Sequence, residues 1–236
     1  MENSRKASET HRRFHVLHRL LHIVVIVKFT LLAVTGFLLG LSRFGIAQVL
    51  AGWFGGAAVL GGIHRFCATV FYIGVLIHIL WLVYYKVVLK GRLTGPGTMI
   101  PTRKDFADVY DNLRYIFGRG TPPLFDRYSY LQKVDYWAVM LGMQSMGITG
   151  VIMWHPEFFG GFLPGYIINI AQHFHFHEAV LAVMYIGFVH MSDTHLVPEV
   201  FPLEKSIFNG NISEKRFAED HPKEWERRTL AQDSLE

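Results

Sequence analysis

The chain has 236 residues, of which 51% are hydrophobic, 14% aromatic and 18% charged, with a formal net charge of +4. This composition is too apolar for an ordinary soluble domain and points to a membrane protein. A single cysteine, Cys67, excludes an internal disulfide, a thiolate-bound iron–sulfur cluster and haem attachment through a CxxCH motif.

Four apolar stretches are long enough to cross a bilayer, because a helix needs about 20 residues to span about 30 Å of hydrocarbon. They cover residues 20–41, 64–89, 134–154 and 174–197. The sequence therefore predicts an all-α integral membrane protein, with a four-helix transmembrane bundle in residues 1–200 and a C-terminal tail in residues 201–236. The first stretch is long and lacks a small-residue cleavage site, so it is not expected to be a cleaved signal peptide.

Lysine and arginine residues are concentrated on one side of the predicted spans. The segment before the first span carries Arg5, Lys6, Arg12, Arg13 and Arg19. The loop between the second and third spans and the tail are also basic, whereas residues 155–172 contain no lysine or arginine. The positive-inside rule then places both termini and the middle loop in the cytoplasm. This bias accounts for the net positive charge, so nucleic acid is not an expected partner.

The middle loop contains one further predicted element. The segment DFADVYDNLRYIFG, at residues 105–118, predicts a short amphipathic helix at the inner membrane surface. The TPP at residues 121–123 is expected to end it. The glycine-rich segment 42–62 and the segment 155–167 are expected to be outer loops.

Several of the 13 histidines fall at membrane depth, where a polar side chain is rare and usually has a partner. Those expected near the outer face are His64, His173, His175 and His177, and those expected toward the inner face are His22, His78 and His190. Two layers of histidine on facing helices are the arrangement that two stacked b-type haems need, because neutral imidazole is a good axial ligand of haem iron. The alternative for any single histidine is a hydrogen bond to a neighbouring helix.

Helical rotation restricts which histidines share a face. Each residue of a helix is rotated by about 100° from the one before it. Two residues that are 14 apart are therefore about 40° short of four full turns, and two that are 15 apart are about 60° beyond them. Two residues that are 13 apart are about 140° short, on nearly opposite sides of the helix. His175 and His190 are 15 residues apart and share roughly one face, whereas His177 and His190 are 13 apart and do not. His64 and His78, 14 residues apart, also share a face.

Two arginines adjoin these histidines. Arg19 and Arg65 are candidates for pairing with haem propionates, and the alternative is that their side chains snorkel to the membrane edge.

Several segments of the chain resemble the membrane cytochrome b subunits of formate dehydrogenase, nickel–iron hydrogenase and thiosulfate-reductase-type complexes. They are RFHVLHRLLH at 13–22, AVTGFLL at 33–39, IHRF at 63–66, RYSYLQKVDYW at 127–137, TGVIMWHP at 149–156, HFHEAVLA at 175–182, GFVHMSDTH at 187–195 and NISEKRFAEDHPKEW at 211–225. The resemblance implies two haem b groups, with His64 and His175 as ligands of the outer haem and His22 and His190 as ligands of the inner one.

Two further histidines remain as reserve ligands. His78 is a second candidate for the inner haem. His177, two residues after His175, is a second candidate for the outer haem. The family's fourth-helix ligands can be 14 residues apart, whereas 15 separate His175 from His190.

The resemblance also implies a quinone pocket bordered by the loop that enters the third helix. The candidate residues are Tyr128, Ser129, Gln132 and Lys133, which offer hydrogen-bond donors and acceptors for a quinone carbonyl. The alternative is a polar loop that simply lies among the lipid headgroups.

The family implies an electron-transfer subunit in the inner (plasma) membrane of a bacterium or archaeon. It would pass electrons between the quinone pool and a periplasmic redox subunit, either an iron–sulfur protein or a multihaem cytochrome c. The chain has no iron–sulfur, molybdenum or nickel motif, so catalysis at the primary substrate is expected to belong to partner subunits. The alternatives are a stand-alone cytochrome b561-like transmembrane electron carrier and a non-redox transporter or metal-ion carrier that uses the histidines.

Overall fold

The structure is a computed structural model that describes residues 10–233; Arg5 and Lys6 lie outside the described residues. Its helices, in chain order, are α1 (Val16–Gly40), α2 (Gly45–Trp53), α3 (Ala57–Val87), α4 (Arg103–Ile116), α5 (Tyr130–Trp154), α6 (Pro156–Gly160), α7 (Gly165–Met184), α8 (Met191–Thr194), α9 (Ser206–Asn209), α10 (Glu214–Asp220) and α11 (Pro222–Asp233). A π-helical turn, Tyr185–His190, joins α7 to α8. The strands are β1 (Thr10–Arg12) and β2 (Asn211–Ser213).

Four helical segments of the described residues are long and apolar enough to cross a membrane. They are α1, α3, α5 and the continuous segment Gly165–Thr194. Many of their large apolar side chains are exposed on the outside of the chain, as lipid-facing surfaces are. The chain is therefore an all-α, multi-pass membrane protein, as the sequence predicts.

All four segments begin earlier than their hydropathy indicates, the first and third by four residues each and the other two by more. The second starts at Ala57 rather than at residue 64, and the fourth starts at Gly165 rather than at residue 174. The break before α3 falls at Gly55 and Gly56, whose φ angles of +87° and +90° favour glycine. The small apolar residues that follow continue the helix, and Pro164 precedes the start of α7. His64 and His175 therefore lie inside their helices rather than at the ends.

The chain divides into two compact units. Among the described residues, the first contains 10–16, Leu82–Ala138 and 205–233, and the second contains Leu17–Trp81 and Val139–Glu204.

The second unit has its apolar core between the membrane helices. Phe71, Val75 and Met143 are buried there, and Val25 and Leu32 are among the half-buried side chains packed against them. The hydroxyl of Tyr72 donates to the main-chain oxygen of Met143, so a polar contact joins α3 to α5 next to this core.

The first unit joins both ends of the described chain. β1 and β2 pair antiparallel, with Thr10 opposite Ser213 and Arg12 opposite Asn211. Behind this small sheet, the rings of Phe217 and Trp225 lie 5.7 Å apart in an edge-to-face arrangement. Phe217 is only 1% exposed, so the residues after Lys205 form part of a packed unit with the N-terminal strand.

The helix α4 of the first unit buries its acidic side and exposes its apolar side. Asp105 and Asp108 are 8% and 7% exposed, whereas Phe106 and Tyr110 are 73% and 63% exposed. Asp105 is bonded to the Lys133 ammonium at 2.8 Å. α4 therefore forms where the sequence predicts an amphipathic helix, but it ends at Ile116, ahead of the left-handed Gly118 rather than at the TPP.

Candidate functional site: paired histidines of the second unit

His64 of α3 and His175 of α7 face one another in the second unit. Their ring centroids are 6.3 Å apart, and the ring planes are inclined at 63°. Both side chains are half-buried. This pair is the one that the family resemblance implies for the outer haem.

A threonine hydroxyl backs each ring of this pair. The Oγ1 atom of Thr35 lies 2.9 Å from Nδ1 of His64. The Oγ1 atom of Thr149 lies 2.9 Å from Nδ1 of His175. Each imidazole thus contacts its threonine through Nδ1, and Nε2 takes no part in this contact.

The residue after each threonine is a glycine. Gly36 lies against His64, and Gly150 lies against His175. A Cβ atom at Gly36 would lie 3.2 Å from Cε1 of His64, and one at Gly150 would lie 3.4 Å from Cε1 of His175. The contact is tighter than usual at Gly36 and ordinary at Gly150. A Thr-Gly pair therefore accommodates each ring from a neighbouring helix, on α1 for His64 and on α5 for His175.

His22 of α1 and His190 form a second facing pair. Their ring centroids are 6.4 Å apart and the planes are inclined at 57°. His195, which is 5% exposed, lies beside this pair with its ring centroid 6.0 Å from that of His190. Burial, and then the neighbouring His190, lower the pKa of His195, so its imidazole is held neutral.

The π-helical turn explains how His190 reaches this position. A π turn accommodates one residue more than a regular helical turn. The 15 residues from His175 to His190 therefore correspond to 14 regular positions, which fall about 40° short of four turns. The two histidines of this helical segment thus point to nearly the same side, as the pairs with His64 and His22 require.

The other histidines considered in the sequence have different surroundings. His177 is exposed, and its Nδ1 bonds to the main-chain oxygen of His173 at 2.7 Å. His173 is also exposed. The ring of His78 lies 6.0 Å from that of His18 rather than in either of the two pairs. The geometry therefore favours His175 over His177 and His22 over His78 as members of the pairs.

The two pairs have a spacing that fits a shared metal. Metal–imidazole bonds are about 2 Å long, so two imidazoles that bind one metal from opposite sides place their ring centroids roughly 6 Å apart. The separations of 6.3 and 6.4 Å agree with this value. Haem iron takes two axial ligands from the protein, since the porphyrin supplies the other four. The residues present thus fit bis-histidine haem.

The proposed propionate partners are placed differently from one another. Arg65 is exposed, and its guanidinium lies over the ring of Trp154 at 5.6 Å. Arg19 is half-buried on α1, three residues before His22. Both remain on the helices that carry the paired histidines.

The quinone candidates lie in the first unit, and each makes contacts within the protein. Ser129 and Gln132 cap α5 reciprocally, with the Gln132 main-chain nitrogen donating to Ser129 Oγ at 3.2 Å. Lys133 is 7% exposed and bonded to Asp105, and Tyr128 receives a hydrogen bond from Arg127 at 3.3 Å. These contacts account for the polarity of the segment, and quinone binding there remains a prediction.

A buried charge network stabilises the same unit. Arg127 donates to Glu224 Oε1 at 3.1 Å, and the Arg13 guanidinium lies 3.6 Å from Glu224 Oε2. Burial alone would raise the pKa of Glu224, but the charges of Arg127, Arg228 and Arg13 outweigh it and lower the pKa. Burial and the charge of Arg127 lower the pKa of Arg13 to about 10, where it is still cationic at neutral pH. The N-terminal segment, the loop before α5 and α11 are thereby joined by ion pairs.

Sequence reasoning missed the threonines and His195. The signal for the threonines was present, because the same dipeptide, Thr-Gly, occurs at 35–36 in the first span and at 149–150 in the third. The role of this dipeptide depends on which side chain of a neighbouring helix contacts it. A single sequence does not reveal such contacts between helices.

The structure thus shows a multi-pass membrane protein with two facing pairs of histidine rings among its apolar helices. No protein-family model matches the chain, and no curated protein matches it.

Proposed function

We propose that the chain is a dihaem cytochrome b, the electron-transfer subunit of a membrane oxidoreductase complex. His64 and His175 would hold one haem b, and His22 and His190 the other. The observation that carries the proposal is the presence of two facing imidazole pairs, 6.3 and 6.4 Å between centroids, in one helix bundle. When bound, haem iron supplies one-electron redox chemistry that no side chain of this chain supplies.

The residues of the chain would position the two haems and exclude water from them. The histidines fix the position of each haem on the bundle, and the apolar helices exclude water from it. Along the fourth membrane segment, His175 and His190 are separated by roughly 22 Å at 1.5 Å per residue, so the two proposed haems would lie toward opposite faces of the bilayer. With the predicted topology, electrons would pass between a periplasmic redox subunit and the quinone pool at the inner face. Tyr128, Ser129, Gln132 and Lys133 are the proposed quinone-site residues.

A difference spectrum of the purified protein tests the proposal. We expect a b-type α-band in the dithionite-reduced minus oxidised spectrum and two haems per chain. A folded protein without haem would reject the proposal and support a non-redox histidine protein instead.

Matched substitutions test the ligands. His175→Ala removes a ring that faces His64, and His177→Ala removes an exposed ring two residues away on the same helix. We expect His175→Ala to lose one haem and His177→Ala to retain both. The same contrast is expected for His22→Ala, which loses one haem, and His78→Ala, which retains both. Haem loss with His177→Ala or His78→Ala alone would reject the assigned pairs.

A further inference from the structure

We propose that Thr35 and Thr149 are positioning residues that fix the tautomer of the His64–His175 pair and thereby set the reduction potential of the haem it holds. This inference rests on the proposed function. Each threonine contacts Nδ1 of one histidine, so both act through the imidazole they contact.

The hydrogen bonds of each hydroxyl determine the position of the imidazole proton. Thr35 Oγ1 donates its only hydrogen to the main chain, where the oxygens of Leu31 and Leu32 lie 2.7 and 3.3 Å away. Thr35 Oγ1 also lies 2.9 Å from Nδ1 of His64, and with its hydrogen used it can only accept there, from an Nδ1–H group. A neutral imidazole protonated at Nδ1 has its lone pair on Nε2, which is the nitrogen then free to bind iron.

Thr149 repeats this arrangement on the other side of the pair. Its hydroxyl donates to the main chain, where the oxygens of Ser145 and Met146 lie 2.8 and 3.2 Å away, and its oxygen lies 2.9 Å from Nδ1 of His175. The two threonines are on different helices and contact histidines on two further helices. The arrangement therefore does not follow from one local turn.

The surroundings distinguish these threonines from others in the membrane helices. Thr30 and Thr69 also donate to a main-chain oxygen four residues earlier, at 2.9 Å each, but both side chains are exposed. Thr35 is 2% exposed. The His22–His190 pair differs as well, because Nδ1 of His22 is buried with no hydrogen-bond partner among the described residues. Among the described residues, His22 therefore lacks the contact that His64 and His175 make with a threonine.

A hydrogen bond from Nδ1–H makes an imidazole a stronger electron donor to its metal, and stronger donation favours the ferric state. Partners of this kind change metal affinity by about 10–100-fold when they are removed. We expect each Thr→Val substitution to shift the ferric–ferrous equilibrium of one haem about tenfold toward the ferrous form. For a one-electron couple, a tenfold change corresponds to about 59 mV.

The experiment is a spectroscopic redox titration of the full-length protein. Thr35→Val and Thr149→Val are compared with Thr30→Val and Thr69→Val, which remove an exposed hydroxyl with the same main-chain bond. We expect the two test variants to raise the midpoint potential of the same haem component. The control variants and the second component should keep the wild-type potentials. Thr35→Ser restores the hydroxyl and should restore the potential.

Each outcome tests either the proposed function or the inference about the two threonines. Wild-type protein that carries no haem overturns the proposed function. Two haems with unchanged potentials in both test variants overturn the inference alone, as does a shift of different components by the two variants. If a valine variant binds no haem at that site, the serine variant decides: recovered haem at the wild-type potential supports the role of the hydroxyl. Loss of haem in the serine variant as well overturns it.

Discussion

Gly147 makes room for the side chain of Tyr72, so its replacement by alanine is expected to loosen the contact between α3 and α5. A Cβ at residue 147 would lie 1.5 Å from the Tyr72 hydroxyl oxygen and 2.1 Å from Cζ of that ring. No side chain tolerates such a distance. The ring must therefore leave its place, and the hydrogen bond from Tyr72 to the main-chain oxygen of Met143 is then lost.

The free-energy change follows from three effects. Overpacking a core position costs about 1–3 kcal/mol. The lost hydrogen bond adds about 1 kcal/mol. Alanine in place of glycine within a helix recovers about 0.5–1 kcal/mol. We therefore expect Gly147→Ala to lower the free energy of unfolding by about 2 kcal/mol.

The loss of stability can be measured by the labelling of Cys67. It is the only cysteine of the chain and is 1% exposed, so a thiol-reactive fluorogenic probe labels it only when the bundle opens. Gly147→Ala should be labelled at a lower temperature than the wild type. The control is Gly62→Ala on α3, where a new Cβ would meet nothing within 4 Å.

A second background separates the steric effect from a general effect of the substitution. In Tyr72→Leu protein the ring and hydroxyl are absent, so adding Gly147→Ala should cost little. An undiminished penalty in that background would refute the steric explanation, as would equal labelling temperatures for Gly147→Ala and Gly62→Ala.

Two further predictions concern His221 and the π-helical turn. Burial, and then the charge of Arg13, lower the pKa of His221 to about 4, whereas the unfolded value is about 6.5. The unfolded chain therefore takes up the proton first, and up to about 3 kcal/mol of stability is lost as the pH falls from 6.5 to 4. Amide protection of Asn211–Ser213 should decline over this range and decline less in His221→Asn; equal declines would contradict the assignment. In the π turn, deleting Gly187 should keep the His22–His190 haem, whereas inserting one alanine there should rotate His190 by about 100° and lose it. Loss in both variants would contradict the one-residue explanation.

The four membrane helices could be predicted because an apolar run of sufficient length has few alternatives to a spanning helix. The first residues of these helices were harder to predict from the sequence. The segment AAVLGGI at 57–63 looks like a flexible loop by composition, yet it continues α3, since the break is made by Gly55 and Gly56. The pairing of β1 with β2 could not be predicted, because it joins Thr10 to Ser213 across almost the whole chain.

For the candidate site, helical rotation identified the helix faces but not the contacts. It favoured His175 over His177 with His190, and the structure also places the His175 ring, not the exposed His177 ring, toward a partner. Helical rotation alone could not predict the π-helical turn. This turn contains one extra residue and so changes the direction in which the His190 side chain points. Nor could it show that His78 packs against His18, because that depends on how α1 lies against α3.

The two histidine pairs are chemically different, and this difference is what makes the proposed function testable one site at a time. Nδ1 of each ring of the His64–His175 pair lies 2.9 Å from a threonine hydroxyl oxygen, whereas His22 has a buried Nδ1 without a hydrogen-bond partner among the described residues. Stronger donation by the first pair lowers the potential of the haem it would hold. The two haems should therefore separate in a redox titration, with the His64–His175 haem at the lower potential.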